Sequence, residues 1–153
     1  DDKSGAQYHL LPYHCLDVAA VGYLLLSPGK PLCKKIAVQL QVKPEWLRDF
    51  FVFCLVLHDL GKFSRSFQGL RQGLSSDLVK ENKGMPYDER HDSLGFWAWI
   101  KIIEPALSVA LPYAEFSAKE TKTWLRNCEP WLEIVTGHHG IPPKKQIKLF
   151  NHF

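Results

Sequence analysis

The 153-residue chain is 46% apolar and 12% aromatic, which suffices for the core of one domain and excludes an intrinsically disordered segment. Nineteen basic against sixteen acidic residues leave a net charge of +3, too mild to diagnose nucleic-acid binding by itself. The longest apolar run, residues 50–57, falls far short of the roughly 20 residues that span a bilayer, and no secretory leader opens the sequence. These features read as a soluble, cytoplasmic protein with no membrane partner. Cys15, Cys33, Cys54 and Cys128 show no C-x-x-C spacing, and three of them lie in apolar runs. They read as small buried hydrophobes in a reducing compartment.

In chain order, His9 to Leu26 predicts a first helix with Pro12 near its start, halted by Ser27-Pro28-Gly29. His14 and Asp17 are three residues apart and share a helix face, so Asp17 is a candidate to orient the His14 ring. Residues 31–42 predict a short amphipathic helix, and Pro44 suits the first position of the next one. From Trp46 to Leu57 almost every residue is apolar, so this third helix is expected to be buried on all sides and to run through the middle of the domain. Residues 64–90 turn polar and predict a long excursion of loop with a short helix. His91-Asp92-Ser93 then opens a helix from Leu94 to Ile103 that Pro105 is expected to stop. A loop with Pro112 leads to a helix over Lys119–Cys128. Glu129-Pro130 restarts a further helix through Val135, capped by Gly137. With no alternating strand pattern, repeat or low-complexity tract, the fold class is all-α.

Histidines gather at the ends of these helices. His14 sits in a first turn, His58 at the end of the apolar helix beside Asp59, His91 at a helix start, and His138-His139 just past a helix end. Helix ends are where several segments can converge. Neutral imidazoles with one carboxylate suit a divalent Fe, Mn, Ni, Co or Zn ion. A buried carboxylate beside a histidine also needs a partner or a metal, because an unpaired buried charge costs several kcal/mol. His9 and His152 lie in polar or terminal contexts and are left out of the set.

Four stretches now carry a resemblance: YHCLDVAAVG around His14, LHDLGKFSRSFQ around His58-Asp59, RHDSLGFWAW around His91, and VTGHHGIPP around His138-His139. In this order the chain resembles the HD-domain phosphohydrolases, and within them the HD nuclease domain of the CRISPR-associated nuclease-helicase of type I interference. The resemblance implies an HD-domain helical bundle with a metal site where helix ends converge. It further implies that residues 1–153 form one HD nuclease domain, the N-terminal part of a longer nuclease-helicase. It implies two adjacent divalent ions, drawn from Mn, Ni, Co, Fe or Mg. His14, His58 and Asp59 would hold one ion, and Asp59, as a bridge, with His91, His138 and His139 the other. Such a pair can generate hydroxide near pH 7 and stabilise a leaving oxygen. Lys62, one turn beyond His58, is a candidate to offset charge in the transition state. Its other reading is a solvated helix-end cation. The family completes the His14 site with a later Asp, whereas residues 140–153 contain no carboxylate. That site is therefore expected to bind its ion weakly, whether the ligand lies beyond residue 153, in a segment absent from these residues, or nowhere.

The resemblance also selects the substrate: single-stranded DNA in the displaced strand of a guide-RNA R-loop, cut in antiviral defence alongside a guide-RNA surveillance complex. Lys62, Arg65 and Arg71 after the HD pair, Lys144, Lys145 and Lys148 near the end, and Phe63 and Phe67 as stacking platforms suit a single strand. The two phenylalanines equally suit a core. No G-x-x-x-x-G-K-[ST] occurs, so any ATPase lies outside this chain, in a helicase domain expected C-terminal to it. The residue pattern alone leaves two alternatives: an HD-type nucleotide phosphohydrolase, and a non-catalytic metal-stabilised docking module.

Overall fold

A computed structural model describes residues 8–71, 86–110, 117–147 and 152–153. Every element among them is helical, as the sequence predicts, and none is long and apolar enough to cross a membrane. The chain clusters into two compact units, Asp1–Val56 and Leu57–Phe153.

The first unit holds helices α1 (Leu11–Leu25), α2 (Pro31–Leu40) and most of α3 (Pro44–Leu57). A proline stands in the first turn of each, where its missing N–H costs nothing and its fixed φ is already helical. Along α1 the buried positions are Cys15, Ala19 and Gly22, a stripe of small side chains. A Cβ on Gly22 would run into the Leu55 side chain, so the glycine sets how closely α1 and α3 approach. Gln41 ends α2 in the left-handed region at φ 57°. Leu26, Cys33, Ala37 and Leu47 form the core here, with Ile36 and Val42 packed against it.

Contrary to the expectation from its composition, α3 is not buried all round. Only Leu47 and Cys54 are buried on it, while Trp46 is 50% and Phe51 37% exposed. Apolar content alone does not decide which helix is central; the packing of its neighbours does. In the second unit the enclosed helix is α5 (His91–Ala98), whose residues Asp92–Phe96 and Ala98 are all buried.

The second unit continues through a single 3-10 turn, Leu60–Phe63, and the one-turn helix α4, Arg65–Gln68, whose Ser64 hydroxyl accepts the Phe67 N–H at 3.3 Å. Most of the predicted polar excursion, residues 72–85, and the loop at Pro112 lie outside the described residues. Two predicted helix stops do not occur. Pro105 falls near the start of α6 (Glu104–Ala110), which α5 reaches through a widened π segment, Trp99–Ile103. The wider turn gives room where the proline ring would otherwise meet the carbonyl four residues before it. Likewise α7 runs unbroken from Ala118 to Thr136 with Pro130 inside it. Its buried residues Thr121, Leu125, Cys128, Leu132 and Thr136 continue one stripe past the proline. An interior proline costs about 3 kcal/mol. Fully burying two leucines returns a comparable amount at about 1.5–3 kcal/mol each. A reciprocal Ser117–Glu120 capping box starts α7, and Gly137 closes it as expected.

All four cysteines are free and buried, and burial pushes the Cys128 thiol up to about 11, the behaviour of small hydrophobes.

Candidate metal centre

The second unit brings the HD pair, the start of α5 and the loop after α7 to one point. Asp59 closes the short turn after α3 and is 1% exposed. Its Oδ2 accepts from Lys62 Nζ at 2.8 Å and lies 3.2 Å from His58 Nε2. Its Oδ1 lies 3.7 Å from His138 Nε2 and 4.0 Å from His91 Nε2. His91 Nε2 in turn is 2.9 Å from His139 Nε2. His91, His138 and His139 together could hold a metal ion.

This donor set passes a simple geometric test. Ligand atoms about 2.1 Å from a common ion stand about 3.0–3.4 Å apart, depending on octahedral or tetrahedral angles. The observed separations of 2.9–4.0 Å bracket that range. The His138 tautomer also suits it. Nδ1–H donates to the Val135 carbonyl at 3.0 Å, which leaves a bare lone pair on Nε2 facing the Asp59 carboxylate. Two electron-rich atoms facing each other at that distance are most stable with a cation between them.

Glycine makes the convergence possible. A Cβ on Gly61 would overlap the His91 carbonyl oxygen and approach the Gly95 nitrogen to 2.6 Å. The 3-10 turn therefore lies directly on the start of α5, and this contact sets the separation of Asp59 and His91. The loop carrying His138-His139 is tied to the same helix start. The Lys144 N–H donates to Ser93 Oγ at 3.0 Å, and Lys144 Nζ to the buried Glu89 at 2.8 Å.

Burial pushes the Asp59 carboxyl up, but hydrogen bonds and charge from His58 and Lys62 outweigh it and hold the group well below the usual carboxylate range. Burial pulls His91 down, helped by the Lys62 and His139 charges, and burial likewise lowers His138. Both are then neutral at pH 7, the form in which imidazole binds metal. The sign for stability follows. In the window between each depressed folded value and the ordinary imidazole value of about 6.5, the unfolded chain binds protons that the folded chain does not. The metal-free protein should lose stability as pH falls from about 6.5 into that window, and again as pH falls below about 3.9 through the depressed range of Asp59. Melting temperature against pH in chelator measures this; a flat profile between pH 7 and 5 would contradict the neutral-imidazole assignment.

Of the sequence candidates, His58, Asp59, Lys62, His91, His138 and His139 all meet in the second unit, while His14 stands half-buried in the first turn of α1 in the first unit. Asp17, expected to orient His14, is bonded to His9 at 3.0 Å on the surface. His152, set aside as terminal, is 2% exposed: Nδ1 lies 3.2 Å from Ser66 Oγ and its carbonyl accepts the Arg65 N–H at 2.7 Å. The basic cluster near the end is also not a free patch, since Lys144 pairs with Glu89 and Lys145 with Glu133 at 3.3 Å. Lys148 lies outside the described residues. Phe63 is exposed, but Phe67 packs edge-on to Tyr87 and His91, each at 5.5 Å. Sequence reading missed Tyr87, Glu89 and Ser93, which bond residues distant in sequence or lie in a stretch that reads as polar loop.

The family model described as "Cas3, HD domain" matches residues 1–152. The chain is 27% identical over 147 residues to the CRISPR-associated endonuclease/helicase Cas3 of Escherichia coli (strain K12), covering 90% of this chain and 16% of that protein. No solved structure gives a significant match. The chain thus spans about a sixth of the length of the curated relative it matches. With its HD pair and histidines gathered in this way and the family model matching nearly end to end, the chain belongs to the Cas3 HD-domain family.

Proposed function

We propose that this chain is a metal-dependent nuclease that cuts single-stranded DNA in the displaced strand of a guide-RNA R-loop, in CRISPR antiviral defence. The observation that carries the reading is the approach of the Asp59 carboxylate to the imidazoles of His91 and His138, with His139 in turn beside His91. Asp59 with the three histidines His91, His138 and His139 would hold one divalent ion; His58 and Asp59 with His14 would hold a second, as the family resemblance implies. Bound divalent ions supply Lewis-acid chemistry and hydroxide near neutral pH. The chain's own residues supply the rest. His138 offers a fixed lone pair, Lys62 neutralises Asp59 and is near enough to offset substrate charge, and Gly61 sets the spacing. Residues 1–153 are taken as one functional HD domain because the family match runs through both compact units. The matched relative is named as both endonuclease and helicase, which supports a helicase portion following this chain in the cytoplasmic protein.

The test uses metal-reconstituted protein with circular single-stranded DNA, linear DNA and nucleoside phosphates. Nicking of the circle under Mn or Ni, abolished by chelation, is the expected result. Turnover of nucleoside phosphates alone would instead identify a nucleotide phosphohydrolase. Chelation that lowers the melting temperature, with no phosphodiester cut, would identify a docking module. His138→Ala and His139→Ala should each weaken the ion shared by Asp59 and His91 at least about 10- to 100-fold, the scale of even outer-sphere losses, while sparing the other ion. Calorimetric titration with both sites unchanged would refute that ligand assignment.

A further inference from the structure

Tyr87 belongs to none of the four sequence blocks, yet its hydroxyl makes two contacts with His91. The His91 backbone N–H donates to Tyr87 Oη at 2.8 Å, and Oη lies 3.2 Å from His91 Nδ1. Arg90, the N-cap residue of α5, makes no side-chain cap, and Tyr87 supplies the acceptor for the His91 N–H. Phe67 stands edge-on to both rings. On the opposite side of His91, Nε2 faces His139 Nε2 at 2.9 Å, a distance that a hydrogen on one of these two nitrogens bridges when no ion lies between them.

A phenol oxygen has one hydrogen and two lone pairs. One lone pair takes the His91 N–H, leaving one hydrogen and one lone pair for Nδ1. If Tyr87 donates to Nδ1, His91 carries its hydrogen on Nε2 and can donate it to His139. If Nδ1–H donates to Tyr87, Nε2 is a bare lone pair aimed at the cluster. A carbonyl, such as the one that holds His138, supports only the second arrangement.

We propose that Tyr87 is a positioning residue for His91: its hydroxyl holds the ring in one orientation through both tautomers, so that Nε2 can receive a divalent ion without the ring turning. This rests on the metal-centre reading above. A second consequence is that the cap and the ligand are coupled, since one oxygen serves both the helix N–H and the ring.

The experiment is zinc titration of wild type, Tyr87→Phe, His91→Ala and the double variant, with long-range proton–nitrogen NMR of the histidine rings. Zinc affinity at the His91 site should fall about 10- to 100-fold in Tyr87→Phe, and Tyr87→Phe should add nothing in the His91→Ala background. The zinc-loaded wild type should show hydrogen on His91 Nδ1. Unchanged affinity, or an equal loss in both backgrounds, would overturn the proposal, the latter by showing that Tyr87 acts through the fold. The wild-type spectra need no variant that folds. In metal-free protein His91 Nδ1 should show as a hydrogen-bonded nitrogen, and an unbonded Nδ1 would overturn the proposal. If wild type binds no zinc at all, the metal-centre reading fails separately, and the metal-free spectrum still decides whether Tyr87 holds the ring.

Discussion

Replacing Asp59 with alanine should abolish metal-dependent cutting of single-stranded DNA. The carboxylate is the one group that both Lys62 and His58 approach on one oxygen and His91 and His138 on the other. Its loss removes the negative charge that balances a divalent ion and the carboxylate that lies between the two groups of donors. The effect should be at least about 10²–10³-fold, the scale seen when a single preorganised electrostatic group is deleted from an active site. The assay is nicking of circular single-stranded DNA at saturating Mn or Ni, with thermal unfolding as the check on folding. A wild-type rate under those conditions would remove Asp59 from the chemistry. Asp59→Asn separates charge from shape, since it keeps the volume and loses the anion, and it should be nearly as inactive as the alanine variant.

Gly61→Ala should have the largest effect on the fold. The added methyl would meet backbone on two sides, the His91 carbonyl and the Gly95 nitrogen, and backbone cannot step aside as a flexible side chain does. Overpacking typically costs 1–3 kcal/mol, and the severe overlap here places this variant at about 3 kcal/mol or beyond. For a protein of this size that lowers the melting temperature by roughly 6–12 °C. Metal affinity should fall with it, because the same contact spaces Asp59 from His91. Gly95→Ala provides the internal comparison: its Cβ would lie 2.9 Å from the Gly61 nitrogen and 3.3 Å from Thr136 Cγ2, so the shift should be smaller and of the same sign. Unfolding of Gly61→Ala at the wild-type temperature would show that the turn does not press on α5.

The sequence by itself determined the helical class, the starts of α1, α2 and α3 at their prolines, the end of α7 at Gly137, and the family through its four histidine-bearing blocks. These are local properties: a proline's φ, a glycine at a helix end and an apolar period act within a turn or two and need no partner. It misjudged Pro105 and Pro130 because local rules count the lost hydrogen bond but not the buried stripe of α7 or the π segment that accommodates the ring. It made α3 the centre because apolar residues show in a sequence, whereas the glycine and serine that let α5 be enclosed do not announce themselves. The family resemblance grouped Asp59, His91 and His138-His139, but only the tertiary structure shows what brings them together. His91 and His139 are 48 residues apart, and their approach depends on Gly61 against α5, Lys144 on Ser93 and Glu89, and Tyr87 on the helix start. Each of these joins atoms whose separation the chain sets only once the unit has packed, which is why the sequence could supply the ligands but not the geometry that presents them.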